Sequence, residues 1–390
     1  MQTLRGDKQS MNLSTKLAKT RYPIIIFILL VLLLSACAKN LPAATVEPDR
    51  PTATDNSVIV FPEPTSTRPV PTNTLTVQAQ SSPIITIDNV DKLELVTQVT
   101  EPTINSFVWL GQGQVVSLAT DTHIVPYTRF PLEPIEGLST PYNYPAKLTV
   151  SVDGEKMAWI DEDNIVYIWE PDLDREVIEL TASDAPFTSL AFSPTGRDLA
   201  IASHDGSIEI WNTADQELVN TWQFPTWYSN LAFSPEGENL ATVDTENFKI
   251  DFINVNDGKI QRSLEWTEHA SPVLNGAIFS PDWNTIAWVA RGTVQLMDQI
   301  SGDLGLAFQH EDAVNSLSWS PDSTLLATAS AGTILGAFSP VVYVWDIDSG
   351  RKVNELVQPT VVTQIIFSPN GTEIGALNFE DGLLFWAVAK

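Results

Sequence analysis

The chain has 390 residues, 48 acidic and 21 basic side chains, a formal charge of −27 and 43% hydrophobic residues. That apolar content supports a sizeable core and excludes wholesale disorder, while the acidic excess argues against nucleic acid, whose phosphates require cations. One cysteine and four histidines exclude a disulfide framework and leave little for a metal centre.

In chain order, residues 1–36 come first. Arg5, Lys8, Lys16, Lys19 and Arg21 precede an apolar run from Ile24 to Leu34, which ends in Leu34-Ser35-Ala36-Cys37. A basic flank, a short apolar core and small residues form an export pattern. The run is too short to cross a hydrocarbon layer of ~30 Å by itself. The segment resembles the bacterial lipoprotein signal, in which Leu34, Ser35 and Ala36 are read by the signal peptidase and Cys37 receives the lipid. The resemblance implies a membrane partnership through that anchor and a place in the cell envelope, outside the cytoplasm. An uncleaved helix over residues 23–38 is the alternative, and Met11 is a second possible start. Removing residues 1–36 takes the formal charge to −31, so attachment to anionic lipid needs acyl chains and not charge.

Residues 37–84 carry Pro42, Pro48, Pro51, Pro62, Pro64, Pro69, Pro71 and Pro83 among many Thr, Ser and Val. Proline at this density forbids regular helix and central strand, which leaves an extended, disordered tether. Its composition resembles the stalks of Chloroflexi-type lipoproteins.

Residues 85–390 repeat a phrase. It reads Leu190-Ala-Phe-Ser-Pro-Thr-Gly196, Leu231-Ala-Phe-Ser-Pro-Glu-Gly237, Ala277-Ile-Phe-Ser-Pro-Asp282, Leu317-Ser-Trp-Ser-Pro-Asp322 and Ile365-Ile-Phe-Ser-Pro-Asn-Gly371. Leu148–Gly154 and Phe107–Gly111 are weaker copies. The register positions 110, 151, 193, 234, 280, 320 and 368 are 40 to 48 residues apart. Each phrase is an alternating strand entering a turn. A second strand, a third ending in Trp169, Trp211, Trp345 or Trp386, and a short fourth strand follow. Four strands at this period predict the blade of a β-propeller. These units resemble WD40 repeats over roughly residues 92–388, with Trp345-Asp346 as the full dipeptide. The fold class expected is all-β, a seven-bladed propeller. The seventh unit lacks its fourth strand, and residues 92–96 are predicted to supply it from the other end, closing the ring. The resemblance implies a structural hydrogen-bond network among His310, a turn Asp and the Trp of the blade, complete in only a few blades.

No catalytic phrase is present: there is no nucleophile elbow, zinc-protease helix or phosphate loop. The acids Asp161-Glu162-Asp163 fall in a predicted turn, where Asp is common for backbone reasons. No cofactor is expected, weak Ca²⁺ binding being the alternative. In WD40 blades the fourth-to-first and second-to-third loops share one face, and the length variation and aromatics of this chain gather there. The candidate binding face is Tyr142, Tyr144, Trp227, Tyr228, Trp266, His269, Ile334, Leu335 and Phe338. The expected function is a membrane-anchored binding or scaffold propeller recognising a protein or peptide. One alternative is an extracytoplasmic carbohydrate hydrolase or lyase using acids in the central funnel, which needs two carboxylates about 5–10 Å apart. Another is an assembly factor for envelope proteins.

Overall fold

A computed structural model describes residues 82–388 apart from 102, 122, 136–139, 142–145, 171–176, 181–184, 266–276, 291, 311 and 331–339. Each repeat becomes one antiparallel sheet, and seven such sheets follow one another along the chain. The first strands of blades 1 to 7 are Ile104–Leu110, Ala146–Val150, Phe187–Phe192, Asn230–Phe233, Ile278–Phe279, Val314–Trp319 and Val362–Phe367. They lie innermost, around a central channel. Blade 3 shows the plan: Phe187–Phe192, Asp198–Ser203, Ser207–Asn212 and Leu218–Gln223 pair in chain order. In such a meander the first and third turns share one face of the ring. The second turn and the connection to the next blade share the other.

The serine of the repeated phrase has a structural reason. Ser193 Oγ accepts the backbone N–H of Asp198 (3.1 Å) and so closes the turn between the first two strands. Ser151, Ser234, Ser280, Ser320 and Ser368 do the same for Lys156, Asn239, Thr285, Leu325 and Glu373. Each bond satisfies a donor that the turn would otherwise leave unpaired.

Seven apolar clusters hold the ring, one between each pair of neighbouring blades. Second strands are sandwiched between two of them; Leu325–Ser330 is buried along its whole length. Outer strands alternate toward solvent, as Leu218–Gln223 does. Each large apolar side chain removed from water at these junctions contributes roughly 1.5–3 kcal/mol. The third-strand tryptophans sit at the junctions: Trp169 and Trp345 are buried, Trp211 and Trp386 half-buried. Side chains also stitch one inner strand to the next. Ser189 Oγ accepts the Leu231 N–H (3.1 Å), and Ser316 Oγ accepts that of Ile365 (3.0 Å).

The ring closes in blade 7. Leu93–Val99 pairs antiparallel with Gly382–Val388, from Leu93 opposite Val388 to Val99 opposite Leu383. The strand begins one residue later than the sequence suggests, because Val90–Lys92 forms a 3-10 turn, and it runs on to Val99. Ile85 is buried and its N–H donates to Gly371 O (2.8 Å). Across the seam to blade 1, the Arg129 guanidinium grips Glu373 with two bonds of 2.7 and 2.6 Å, both side chains being buried. No helix among the described residues is long and apolar enough to cross a membrane.

The expected network around His310 is not formed by the imidazole. Its ring lies edge-on to Trp345 (5.7 Å) and near Tyr343 (5.2 Å), but neither nitrogen has a hydrogen-bond partner among the described residues. The Trp345 indole N–H donates instead to Thr328 Oγ1 (2.9 Å). Asp346 closes its own turn, accepting the Ser349 hydroxyl and the Asp348 N–H. With the indole N–H satisfied by Thr328, the imidazole packs against the Tyr343 and Trp345 rings.

Candidate functional site

The channel encloses about 780 Å³, within the range of small-ligand and peptide-anchor pockets. Thr149, Thr188, Ser189, Asn230, Ser316 and Gln364 line it together with Leu190, Leu231 and Ile365. Lys147 is the charged residue among the described lining, which includes no carboxylate. In a chain of formal charge −27, this lining of hydroxyls, amides and one ammonium is a sharp local departure.

Trp227 stands at the mouth on the loop-rich face. Its position follows from its neighbours. The loop from Phe224 to Thr226 passes directly over Gly206, whose φ is 86°. A Cβ there would lie 2.4 Å from Phe224 O and 2.7 Å from Thr226 O, so only glycine permits the approach. Phe224 N–H donates to Gly206 O (2.9 Å). Tyr228 then turns inward. It is buried, and its hydroxyl donates to the fully buried Asp251 (2.9 Å), which also accepts from Lys249 (2.6 Å) and Ser263 (2.5 Å). Burial and the Asp251 carboxylate push the Tyr228 hydroxyl well above its ordinary pKa, so it stays a donor. With Tyr228 pinned, Trp227 projects outward, half-buried. Its indole N–H donates to Glu246 (2.9 Å), and its ring stacks on His204 at 4.9 Å and 13°.

Of the binding-face residues expected from sequence, Trp227 lines the channel mouth. Tyr228 is corrected: it is a core residue of the junction between blades 3 and 4, because its hydroxyl finds a buried acceptor. Tyr142, Tyr144, Trp266, His269, Ile334, Leu335 and Phe338 lie outside the described residues, as do Leu34, Ser35, Ala36 and Cys37. Sequence reasoning missed His204, which supplies the second stacked ring, and Glu246, which fixes the first. The turns from Ser203 to Gly206 and Asp244 to Asn247 carry them, and their alignment with the loop around Trp227 was the available signal.

The acids near the channel that the structure describes are committed to local hydrogen bonds. Glu246 is engaged by Trp227. Asp161 accepts the Ile165 N–H (2.9 Å) and the Tyr167 hydroxyl (2.9 Å), so it serves its own turn. Among the described residues no group of three or more His, Cys, Asp and Glu converges as a metal site. The acid pair required by the carbohydrate-hydrolase alternative is not among the described channel-lining residues.

Comparison with known proteins agrees with this architecture. Residues 175–212 and 304–346 match the family described as "WD domain, G-beta repeat". Cell division cycle 20.1, cofactor of APC complex, from Arabidopsis thaliana is 19% identical over 54% of this chain and 47% of its own length. Periodic tryptophan protein 2 homolog from Mus musculus is 26% identical over 56% of this chain and 23% of its own. The chain thus spans less than half of either relative. The β-propeller domain of Myceliophteria thermophila Cps50 (Swd1) superposes with a TM-score of 0.64 at 14% identity, covering 76% of this chain and all of that one. Repeat phrase, seven four-stranded sheets, N-terminal closure and these matches together identify the fold as a seven-bladed β-propeller of WD40 repeats.

Proposed function

We propose that the protein is a binding propeller that recognises a protein or peptide segment at the channel mouth around Trp227, held outside the cytoplasm by a lipid on Cys37. The observation that carries the binding reading is Trp227 itself: an aromatic platform, stacked on His204 and fixed by Glu246, over a channel lined by neutral polar groups. Tryptophan beside adaptable hydrogen-bonding groups is the composition of interface anchors. One relative's name, cofactor of APC complex, describes a protein that works within an assembly. The anchor rests on the Leu34-Ser35-Ala36-Cys37 box after the apolar run.

Proximity crosslinking in the native cell, read by mass spectrometry, tests both parts. Trp227→Ala is expected to lose the dominant partner, since truncating a tryptophan anchor costs about 2 kcal/mol or more, some thirtyfold in affinity. Cys37→Ala is expected to move the protein from the detergent phase to the aqueous phase. An unchanged partner set in Trp227→Ala would overturn the site, and unchanged partitioning in Cys37→Ala the anchor.

A further inference from the structure

The opposite face of the ring carries the turns between first and second strands, and not all of them keep the glycine of the repeated phrase. Blades 2, 3, 4 and 7 place Gly154, Gly196, Gly237 and Gly371 at the left-handed position, with φ of 74°, 66°, 75° and 70°. Blade 6 places Ser323 there at φ 64°, and blade 5 the far bulkier Trp283 at φ 63°. A bulky side chain rarely takes that conformation, and it persists only where the surroundings over-determine it. The fold itself does not require the indole, because glycine occupies the same place in four other blades. Trp283 lies flat on Phe279, ring centres 4.0 Å apart at 16°, and stays half-exposed.

Beside this pair is a second concavity of about 470 Å³, between the turns of blades 3, 4 and 5. Phe192, Pro194, Phe233, Pro235, Pro281 and Trp283 line it, and Val152 stands on its rim, 69% exposed. The serine hydroxyls of these turns already serve their own backbone. Asn230 also lines it, but its amide already donates to Ala277 O and accepts the Leu231 N–H. The Trp283 indole N–H makes no hydrogen bond among the described residues, which leaves a largely carbon-lined groove with one aromatic donor. Around it, exposed Asp153, Glu236 and Asp282 follow the lining residues Val152, Pro235 and Pro281; of the nearby cations, Lys156 is held by Gly196 O and Glu170, and Arg197 is exposed.

We propose that this groove docks a proline-rich segment of a partner protein that carries arginine or lysine. An ordinary peptide crossing a carbon-lined groove buries backbone N–H groups without partners. Proline has no N–H, and a polyproline II helix turns its carbonyls outward, where an indole N–H can donate to one of them. Flat pyrrolidine rings match the rings of the groove, and the surrounding carboxylates select a basic partner. The groove opens on the face opposite Trp227 and meets the channel at Asn230, Leu231 and Ile278; Trp283 lines only the groove, so Trp283→Gly tests this site apart from the other.

The test uses the full chain labelled with 5-fluorotryptophan, its Trp283 resonance identified by loss in Trp283→Gly. An arginine-capped oligoproline is expected to shift that resonance saturably, and replacing the arginine by glutamate to weaken binding about tenfold. Trp283→Gly, followed by calorimetry, is expected to abolish binding while the melting temperature holds or rises, because glycine takes the left-handed φ freely. The proposal is overturned by no shift at millimolar peptide, by equal affinity for the glutamate-capped peptide, or by unchanged binding in Trp283→Gly. It is also overturned if Trp283→Gly unfolds the ring, which would make the pair a core element, or if an amphipathic helical peptide binds more tightly.

Discussion

The seam between blades 7 and 1 and the junction between blades 5 and 6 bury polar groups in opposite ways. At the seam, Arg129 and Glu373 are both charged, both buried and joined by two short bonds, with the guanidinium also lying over the Phe385 ring at 4.1 Å. At the other junction His310 is buried among aromatic rings with no hydrogen-bond partner among the described residues. The seam must hold strands from opposite ends of the chain, and a paired charge gives it directional specificity. The junction between consecutive blades is held by chain connectivity and apolar packing, and tolerates a neutral, unpaired ring. The pH response differs accordingly. Burial pushes the His310 imidazole down to about 4. Burial pushes Glu373 up and Arg129 down, each against the attraction of the other.

The largest effect expected is from removing Leu93–Val99, which exposes the edge of Gly382–Val388 and takes the buried Leu93 and Val99 out of the core. Those side chains and the lost ladder are together worth more than 5 kcal/mol, so the melting temperature followed by circular dichroism should fall by more than about ten degrees. An unchanged melting curve would mean that the ring does not depend on this closure. Next is Glu373→Gln, which leaves the Arg129 charge buried without its counter-ion; about 3–5 kcal/mol should be lost in denaturant titration. The double change Arg129→Met with Glu373→Leu should recover most of it, and failure to recover would show that the pair does more than satisfy itself. The smallest effect concerns pH. His310 titrates near 6.5 unfolded and about 4 folded, so its neutral state supports the fold above pH 6.5. That contribution, about 3 kcal/mol, is lost as pH falls toward 4, because the unfolded chain takes up the proton first. His310→Phe should flatten the slope in that window. Glu373, shifted up, has the opposite sign, so a variant as steep as the wild type would contradict the assignment to His310.

The repeated phrase made the blades legible because each carries its own strand, turn and capping serine, all local signals. The seam strand was legible through a count: the last unit lacked a fourth strand and residues before the first could supply it. Its end was not, since continuation to Val99 depends on pairing with Leu383. The Arg129–Glu373 clasp joins residues far apart in sequence, with no local pattern to announce it. Trp227 and Tyr228 are adjacent aromatics in a loop, where no period fixes which points inward; the buried Asp251 decides it. Trp283, by contrast, was visible as a tryptophan two residues after the Ser-Pro of a turn that reads glycine in blades 2, 3, 4 and 7 and serine in blade 6. Its meaning needed the backbone angle.

The pairing of Leu93 with Val388 has a mechanical consequence. The two chain ends of the propeller leave from the same end of one antiparallel ladder, so tension applied between them does not shear that ladder. Once Ile85 is pulled from Gly371, the tension peels the ladder, breaking hydrogen bonds in succession from the Leu93–Val388 pair toward Val99–Leu383. The register offset between Leu95 and Thr97 interrupts the ladder partway, marking where a force-extension trace should pause. A pull through residue 93 against a load held at another blade instead transmits through Gly382–Val388 into the sheet. The same ring is therefore fragile when stretched between its ends and firm when loaded from one end alone.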